Sequence, residues 1–261
     1  MNLKSKIALA VMALTAGSAA MAQLSYNIGA VSDYRVRGIT QTNYGPAVQG
    51  GVDYAHSTGF YVGAWASNVK WVKEMNGASK GDYEIDLYGG YKAEFMPGLS
   101  YDIGFITYQY PGNDSGSANG GIVADGQYSN ASTKEVYAAV TYKVATLKYN
   151  QSLGDFLGNV NSNGSRYWDL SAAFDLGNGF TLTPHIGRQT IPNNFGTNGK
   201  SADYTDYALT LAKDMGKGVT LTAAYITTNA DDTFYVNQSA PLGDGKMIAK
   251  AGAVVGVKYT F

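Results

Sequence analysis

The chain has 261 residues, of which 15% are charged, 13% are aromatic and none is cysteine. Because a soluble domain usually carries about 25% charged residues, this chain is short of charge, whereas tyrosine (21) and glycine (33) are abundant. This composition argues against a helical membrane protein and against a disordered chain. It is typical of a sheet that faces water on one side and an apolar medium on the other. The lack of cysteine excludes disulfide frameworks, thiol catalysis and thiolate metal sites.

The N-terminal segment has the three parts of a secretory signal. Lys4 and Lys6 form the charged start, residues 7–16 form a short apolar run, and residues 20–22 form an A-x-A cleavage site. We therefore expect residues 1–22 to be a signal peptide that is cleaved after Ala22. Removing its two lysines from 19 basic residues leaves 17 against 20 acidic ones, a formal charge of −3. Such a charge predicts no nucleic-acid partner.

Alternation with period two recurs along the chain and predicts twelve strands joined by five short turns and six long loops. The predicted strands cover residues 24–38, 47–56, 60–71, 82–95, 100–111, 133–143, 146–156, 166–176, 180–191, 204–215, 219–230 and 248–261. A barrel strand needs about 9–11 residues to cross a bilayer, with apolar side chains outward and polar ones inward. We therefore predict an all-β fold, a transmembrane antiparallel up-and-down β-barrel over residues 23–261. Its short turns would be periplasmic and its long loops extracellular.

The C-terminal strand carries a second signal. From Ala249 to Phe261 every second residue is apolar, whereas Lys250 and Lys258 lie on the other face. A half-buried strand of a soluble sandwich would also alternate. The final phenylalanine, however, resembles the closing strand of bacterial outer-membrane barrels, which the barrel-assembly machinery reads. The resemblance implies that this machinery, through Phe261, and outer-membrane lipid are partners of the protein.

The alternation leaves three points open. In strand 60–71 either Phe60 and Val62 or Tyr61 and Trp65 face the lipid. In strand 146–156 Gln151 falls on the lipid face, which a β-bulge or a slipped register would explain. The longest loop, 112–132, either folds into the lumen as a constriction or is a mobile surface loop.

A compound motif near the N-terminus supports the barrel. It joins VSDYRVRGITQT at 31–42, PAVQGGVDY at 46–54 and GFYVGAWASNV at 59–69. This motif resembles the N-terminal signature of the TorF family of bacterial outer-membrane porins. The resemblance implies an outer-membrane barrel with a channel role and no defined solute. Val36 stands where the family has an aromatic residue between two arginines.

Twelve strands would enclose a narrow lumen. With a strand spacing of about 4.8 Å and a tilt of about 40°, the circumference is roughly 75 Å and the backbone diameter about 24 Å. Side chains take about 5 Å from each wall, which leaves roughly 14 Å. We therefore predict a porin for the passive diffusion of small hydrophilic solutes or ions.

The register directs a set of charged side chains into this lumen. The candidate pore-lining residues are Asp33, Arg35, Arg37, Asp53, Glu84, Asp86, Lys92, Glu135, Lys143, Asp169, Asp206, Lys250 and Lys258. Most of the carboxylates lie at the extracellular ends of alternate strands, so we expect an acidic band in the outer half, facing the arginines. Lys92, Lys143 and Lys258 would line the periplasmic half. Such opposed rows set ion preference, unless the charges pair with one another and plug the barrel.

The sequence contains no recognisable catalytic motif. His56 and His185 are its two histidines, no serine lies in a nucleophile motif, and no phosphate loop, dinucleotide fingerprint or H-E-x-x-H is present. His56 is expected in a turn and His185 on the lumen face. We therefore expect no enzyme, no metal and no cofactor. The competing function is a non-conducting barrel that acts as an adhesin or structural protein through its outer loops.

Overall fold

The computed structural model describes residues 23–115, 128–237 and 243–261, so the predicted signal peptide lies outside the described residues. The strands are β1 (Gln23–Val31), β2 (Arg35–Val36), β3 (Ile39–Thr40), β4 (Ala47–Ala55), β5 (Phe60–Asn68), β6 (Tyr83–Met96), β7 (Leu99–Gln109), β8 (Thr133–Tyr142), β9 (Ala145–Ser152), β10 (Arg166–Ala172), β11 (Phe174–Gly177), β12 (Phe180–Thr190), β13 (Tyr204–Gly216), β14 (Val219–Thr228) and β15 (Gly252–Thr260). A short helix, α1 (Trp71–Glu74), follows β5. Among the described residues, no helix has the length and apolar character needed to cross a membrane.

All the strands except β2 and β3 form one antiparallel sheet that closes on itself. Neighbours in the chain pair with one another, and β1 pairs with both β4 and β15. The strands β10 and β11 form a single wall strand, because both pair with β12 in one register. Pro184, which has no N–H to donate to the ladder, lies beside their interruption. The predicted fold is thereby confirmed: an all-β, closed antiparallel barrel of twelve strands.

Apolar side chains cover the outside of the wall. On β6, Tyr83, Ile85 and Leu87 are exposed, whereas Glu84 and Asp86 between them are buried. The same alternation continues around the barrel, and a belt of this kind is stable only where it faces lipid. The low charge of the sequence therefore reflects an outer face with little charge and an inner face that carries most of it.

The structure decides the register of the predicted strand 60–71. Phe60 and Val62 on β5 are 62% and 58% exposed, whereas Tyr61 is buried. Trp65 also points inward, with its ring centroid 5.4 Å from that of Tyr34. Phe60 and Val62 therefore lie on the lipid face of β5, and Tyr61 and Trp65 lie on its lumen face.

Gln151 lies on the outward face of β9 without a bulge. The register of β9 is uninterrupted against both β8 and β10. The Tyr149 hydroxyl donates a hydrogen bond to Gln151 Oε1 at 2.5 Å, and β9 ends one residue later. An outward amide is tolerated here because it has a partner and lies at the end of the strand.

Tyrosine and glycine are abundant because they pack against each other on the lumen wall. The Tyr88 ring lies over Gly63 and the Tyr61 ring over Gly90, each pair being directly opposite in the β5–β6 ladder. A Cβ at either glycine would overlap the ring. The glycines therefore let the rings lie close to the wall of a barrel that is only twelve strands wide.

The first long connection differs from its prediction. Strand β1 ends at Val31, and the next residues turn inward into a two-stranded hairpin instead of extending the wall to residue 38. Its turn is Arg37 (φ 49) and Gly38 (φ 83), the positive φ pair of a type I′ hairpin. A Cβ on Gly38 would overlap Asp206 and Thr228, so the tip reaches the β13–β14 wall. Residues 33–42 are called the inserted hairpin below.

The other long connections pack above the inserted hairpin. Ile39 joins a buried cluster whose other members include Met75, Phe156, Ile191, Phe234 and Ile248. This cluster surrounds a cavity of about 40 Å³. Ile248 lies in this layer rather than in a strand, because β15 begins only at Gly252. Residues 116–127, which form most of the predicted loop 112–132, lie outside the described residues.

Candidate functional site: the lumen and its inserted hairpin

The inserted hairpin neutralises part of its own charge. Arg35 Nε lies 2.7 Å from Asp33 Oδ2, and the Thr40 hydroxyl donates to Asp33 Oδ1 at 2.5 Å. Arg35 Nη1 also donates to the carbonyl oxygen of Lys250 at 2.7 Å. Asp33 and Arg35 were predicted on the first wall strand, opposite the acidic band. They instead pair with each other inside the hairpin, because the chain leaves the wall at Val31.

Arg37 joins the tip of the hairpin to the barrel wall. Its Nη2 lies 2.6 Å from Glu135 Oε2 on β8, and its Nη1 donates to Gln189 Oε1 on β12 at 2.7 Å. The guanidinium carbon lies 4.5 Å from the ring centroid of Tyr167. The Arg37 and Glu135 side chains are only 8% and 0% exposed. This contact is therefore a buried ion pair that spans the lumen.

A second contact between hairpin and wall involves Glu84 on β6. The Tyr34 hydroxyl donates to Glu84 Oε1 at 2.5 Å, and the Tyr110 hydroxyl donates to Glu84 Oε2 at 2.7 Å. Asp86, two residues further along the same face, is also buried. No described residue donates a hydrogen bond to its Oδ1. The wall below the hairpin thus carries one satisfied and one unsatisfied carboxylate.

His185 holds two further carboxylates together. Its Nδ1 lies 3.1 Å from Asp169 Oδ2 on β10, and its Nε2 lies 2.8 Å from Asp206 Oδ2 on β13. The Tyr167 hydroxyl donates to Asp206 Oδ1 at 2.9 Å. Both ring nitrogens can donate only in the imidazolium form. The cluster therefore places one positive charge between two negative ones. The other histidine, His56, lies in the turn between β4 and β5.

The periplasmic half of the lumen has its own polar side chains. The Tyr61 hydroxyl donates to Asp102 Oδ1 at 2.6 Å, and the Tyr88 hydroxyl donates to Asp53 Oδ1. Between this half and the outer half, Lys148 on β9 lies opposite Asp169 in the β9–β10 ladder, and its Nζ lies 4.0 Å from the ring centroid of Tyr137. Lys92 on β6 and Lys258 on β15 occupy inward positions of the alternation.

Besides Asp33, Arg35 and Arg37 of the inserted hairpin, two predicted residues lie outside the barrel strands. Lys143 has a positive φ of 51° in the turn after β8, and its Nζ lies 5.1 Å from the outward ring of Tyr142. Lys250 is exposed and precedes β15. The predicted strands 133–143 and 248–261 were too long, because the alternation of side chains continues into the residues that flank the observed strands β8 and β15.

Several polar lumen residues were missed from the sequence. They are Asp102, Lys148, Asn150 and Gln189. Their inward positions follow from alternation alone, which gives no hint of their partners on distant strands. Among the residues the structure describes, no group of three or more His, Asp or Glu side chains is arranged to hold a metal ion.

A closed barrel of twelve antiparallel strands, apolar outside and charged inside, is a transmembrane β-barrel, and this fold implies an outer-membrane location. The chain belongs to the Gcw_chp family, described as bacterial proteins of unknown function, whose model matches residues 15–261. The TorF resemblance of residues 31–69 is not confirmed by this match.

Solved structures with the same fold are porins. A KdgM porin is 8% identical, with a TM-score of 0.54 over 91% of this chain and 99% of its own. A NanC porin is 13% identical, with a TM-score of 0.51 over 91% and 99%. Another KdgM structure is a complex with disordered oligogalacturonate. Identities this low show a shared fold alone. No curated protein matches the sequence.

Proposed function

We propose that the protein is an outer-membrane channel for small hydrophilic solutes or ions, with a preference for cations. The observation that carries this proposal is the polar inner wall, which runs from Asp53 and Lys258 in the periplasmic half to Glu135 and Asp206 in the outer half. A barrel that only anchors surface loops has no need of so many charges inside it. Charged rings of this kind are the means by which channels select ions.

The preference for cations follows from the charges around the inserted hairpin. The outer half of the wall presents the five carboxylates of Glu84, Asp86, Glu135, Asp169 and Asp206. The cations that face them are Arg37, Lys148 and His185. Acidic groups on this part of the wall therefore outnumber basic groups by five to three. This wall would repel anions and favour cations. The inserted hairpin lies within the same part of the lumen and narrows the path.

The proposal is tested by recording single channels from the purified, folded barrel in planar bilayers with a KCl gradient. We expect discrete conductance steps and a reversal potential of the sign for K⁺ over Cl⁻. Heat-unfolded protein in the same detergent is the control for detergent artefacts. Folded protein that gives neither conductance steps nor liposome swelling with salts, sugars and amino acids would contradict the proposal.

A non-conducting barrel is the second candidate function. It is favoured by the buried apolar layer at the outer mouth, in which Phe234 and Ile248 pack in one cluster with Ile39 of the inserted hairpin. In that case the outer loops would act as an adhesin or structural surface. Liposome swelling separates the two candidates, provided that a variant with a released hairpin is compared with the wild type. If both fail to swell, the second candidate is the better account.

We further propose that export removes residues 1–22 and that the barrel-assembly machinery reads Phe261. The Phe261 ring is 62% exposed, lies 5.7 Å from the ring of Tyr26, and forms the outward end of the closing seam. Mass spectrometry of the mature protein should give Gln23 as its first residue. The F261A variant should insert into the outer membrane at lower yield, and an unchanged yield would contradict the role of Phe261.

A further inference from the structure

Three oxygens on the outer lumen wall accept no hydrogen bond from the residues that the structure describes. They are Asp86 Oδ1, Glu135 Oε1 and Asn150 Oδ1. Their residues are 7%, 0% and 5% exposed. Buried oxygens of this kind are destabilising unless a donor or a cation meets them. All three are acceptors, so a donor such as water satisfies them, and a cation also does because two of the oxygens belong to acidic groups.

The donors around Glu135 all meet its other oxygen. Arg37 Nη2 lies 2.6 Å from Oε2, Asn150 Nδ2 donates to it at 3.1 Å and the Tyr108 hydroxyl at 3.4 Å. Oε1 is therefore left open. The same hydrogen bond uses the amide nitrogen of Asn150 and leaves its oxygen open. The two open oxygens belong to adjacent strands, β8 and β9.

Asp86 completes the group from β6. It lies opposite Tyr108 in the β6–β7 ladder, and Tyr108 itself reaches Glu135. The Asp86 carboxylate is within electrostatic range of both Glu84 and Glu135. Two carboxylates and an amide thus face the same part of the lumen.

The positive charge nearest to the open oxygens is used elsewhere. Arg37 directs Nη2 to Glu135 Oε2 and Nη1 to Gln189 Oε1, so Glu135 Oε1 is left without a partner among the described residues. Glu84 is not part of the open group, because the hydroxyls of Tyr34 and Tyr110 donate to it.

We propose that Asp86, Glu135 and Asn150 form a binding site for a single monovalent cation in the outer half of the lumen. Carboxylate and amide oxygens are hard ligands, which suit alkali cations. The site rests on the proposed channel function and deepens it: a permeating cation exchanges part of its hydration shell for these three oxygens beside the Arg37 ion pair.

Rubidium tests the site directly on the whole folded barrel. Crystals soaked in RbCl should show an anomalous peak among Asp86, Glu135 and Asn150. The D86N variant should lose the peak, because it removes one negative charge without changing the shape of the side chain. The D102N variant is the matched control, since it makes the same change in the periplasmic half and should keep the peak. A wild-type barrel with no rubidium peak there, or a peak that persists in D86N, would overturn the proposal.

Permeation separates this inference from the channel proposal. At about 0.1 M salt, a single negative charge about 6 Å from a passing ion raises cation occupancy about twofold and lowers anion occupancy about twofold. The D86N variant removes this charge and should therefore lower the K⁺/Cl⁻ permeability ratio by about fourfold. An unchanged ratio in a conducting barrel would refute the site and leave the channel intact. A rubidium peak in a barrel that never conducts would refute the channel and leave the site intact. If D86N does not fold, the rubidium peak of the wild type still decides.

Discussion

The buried pair between Arg37 and Glu135 predicts how firmly the inserted hairpin is held. Removing one partner of a buried ion pair costs about 3–5 kcal/mol, because the other charge is left buried and unpaired. At about 1.4 kcal/mol per tenfold, the docked hairpin should lose roughly two to four orders of magnitude in its population relative to the released state. The barrel wall is unaffected, since its ladders do not involve the hairpin.

The two single variants, R37M and E135Q, should differ in how strongly they destabilise the docked hairpin. In R37M the hydrogen bond to Gln189 and the contact with the Tyr167 ring are lost as well. These two interactions add about 1–3 kcal/mol to the cost. In E135Q both are retained, and the arginine keeps a polar neighbour. We therefore expect R37M to release the hairpin more fully than E135Q.

The double variant R37M/E135Q is the decisive comparison. Because it removes both charges, it should recover most of the loss, as buried pairs replaced by neutral side chains often do. The assay combines amide hydrogen exchange at Val36 and Ile39, which pair in the hairpin, with single-channel conductance. Both exchange rate and conductance should rise in the single variants and fall back in the double variant. Additive effects, or exchange rates unchanged in all three variants, would refute the reasoning.

Three further predictions concern the wall and the loops. The G63A variant should destabilise the barrel by about 1–3 kcal/mol in urea titrations, because the new methyl group overlaps the Tyr88 ring. The control is G154A, which should leave the stability unchanged because nothing lies within 4 Å of the new Cβ. L170R should cost about 2–4 kcal/mol in lipid vesicles, since Leu170 is exposed midway along β10, and an equal stability would contradict the lipid face. Side-chain hydrogen bonds, of which the one from Asn198 has the largest effect, lower the pKa of Asp231 to about 2. The contribution of the Asp231 carboxylate to loop order should therefore be complete above about pH 4 and lost as the pH falls through about 2. An NMR titration of the loop checks this midpoint.

The twelve-stranded fold could be predicted because its signal is local. Each strand needs only its own alternation to specify which side chains face lipid, as in Tyr83 to Leu87 on β6. The turns contribute glycine and asparagine with positive φ at positions such as Asn178 and Gly179. Strand β5 was ambiguous because both of its faces are apolar or aromatic. Its register is decided by Tyr88 and Tyr34, which come from other parts of the chain.

The inserted hairpin could not be predicted, because its residues continue the alternation of β1. Asp33, Arg35 and Arg37 occupy every second position whether the chain extends the wall or folds back. The turn gives only a weak signal, since Arg37 adopts a positive φ that arginine rarely takes. The wall residues that hold the hairpin inward are distant in sequence: Glu135, for example, lies 98 residues after Arg37.

The hairpin links the opening of the lumen to its selectivity. Because Asp33 and Arg35 neutralise each other, the hairpin brings a single uncompensated charge, that of Arg37, to the wall. A hairpin that swings out removes this charge, so the net charge around Glu135 becomes more negative by one. The released state should therefore prefer cations more strongly than the docked state, and the same residue that narrows the path also weakens its negative charge. R37M should consequently raise the K⁺/Cl⁻ permeability ratio as well as the conductance. A rise in conductance without a rise in that ratio would mean that the permeating ions pass the wall beyond the reach of Glu135.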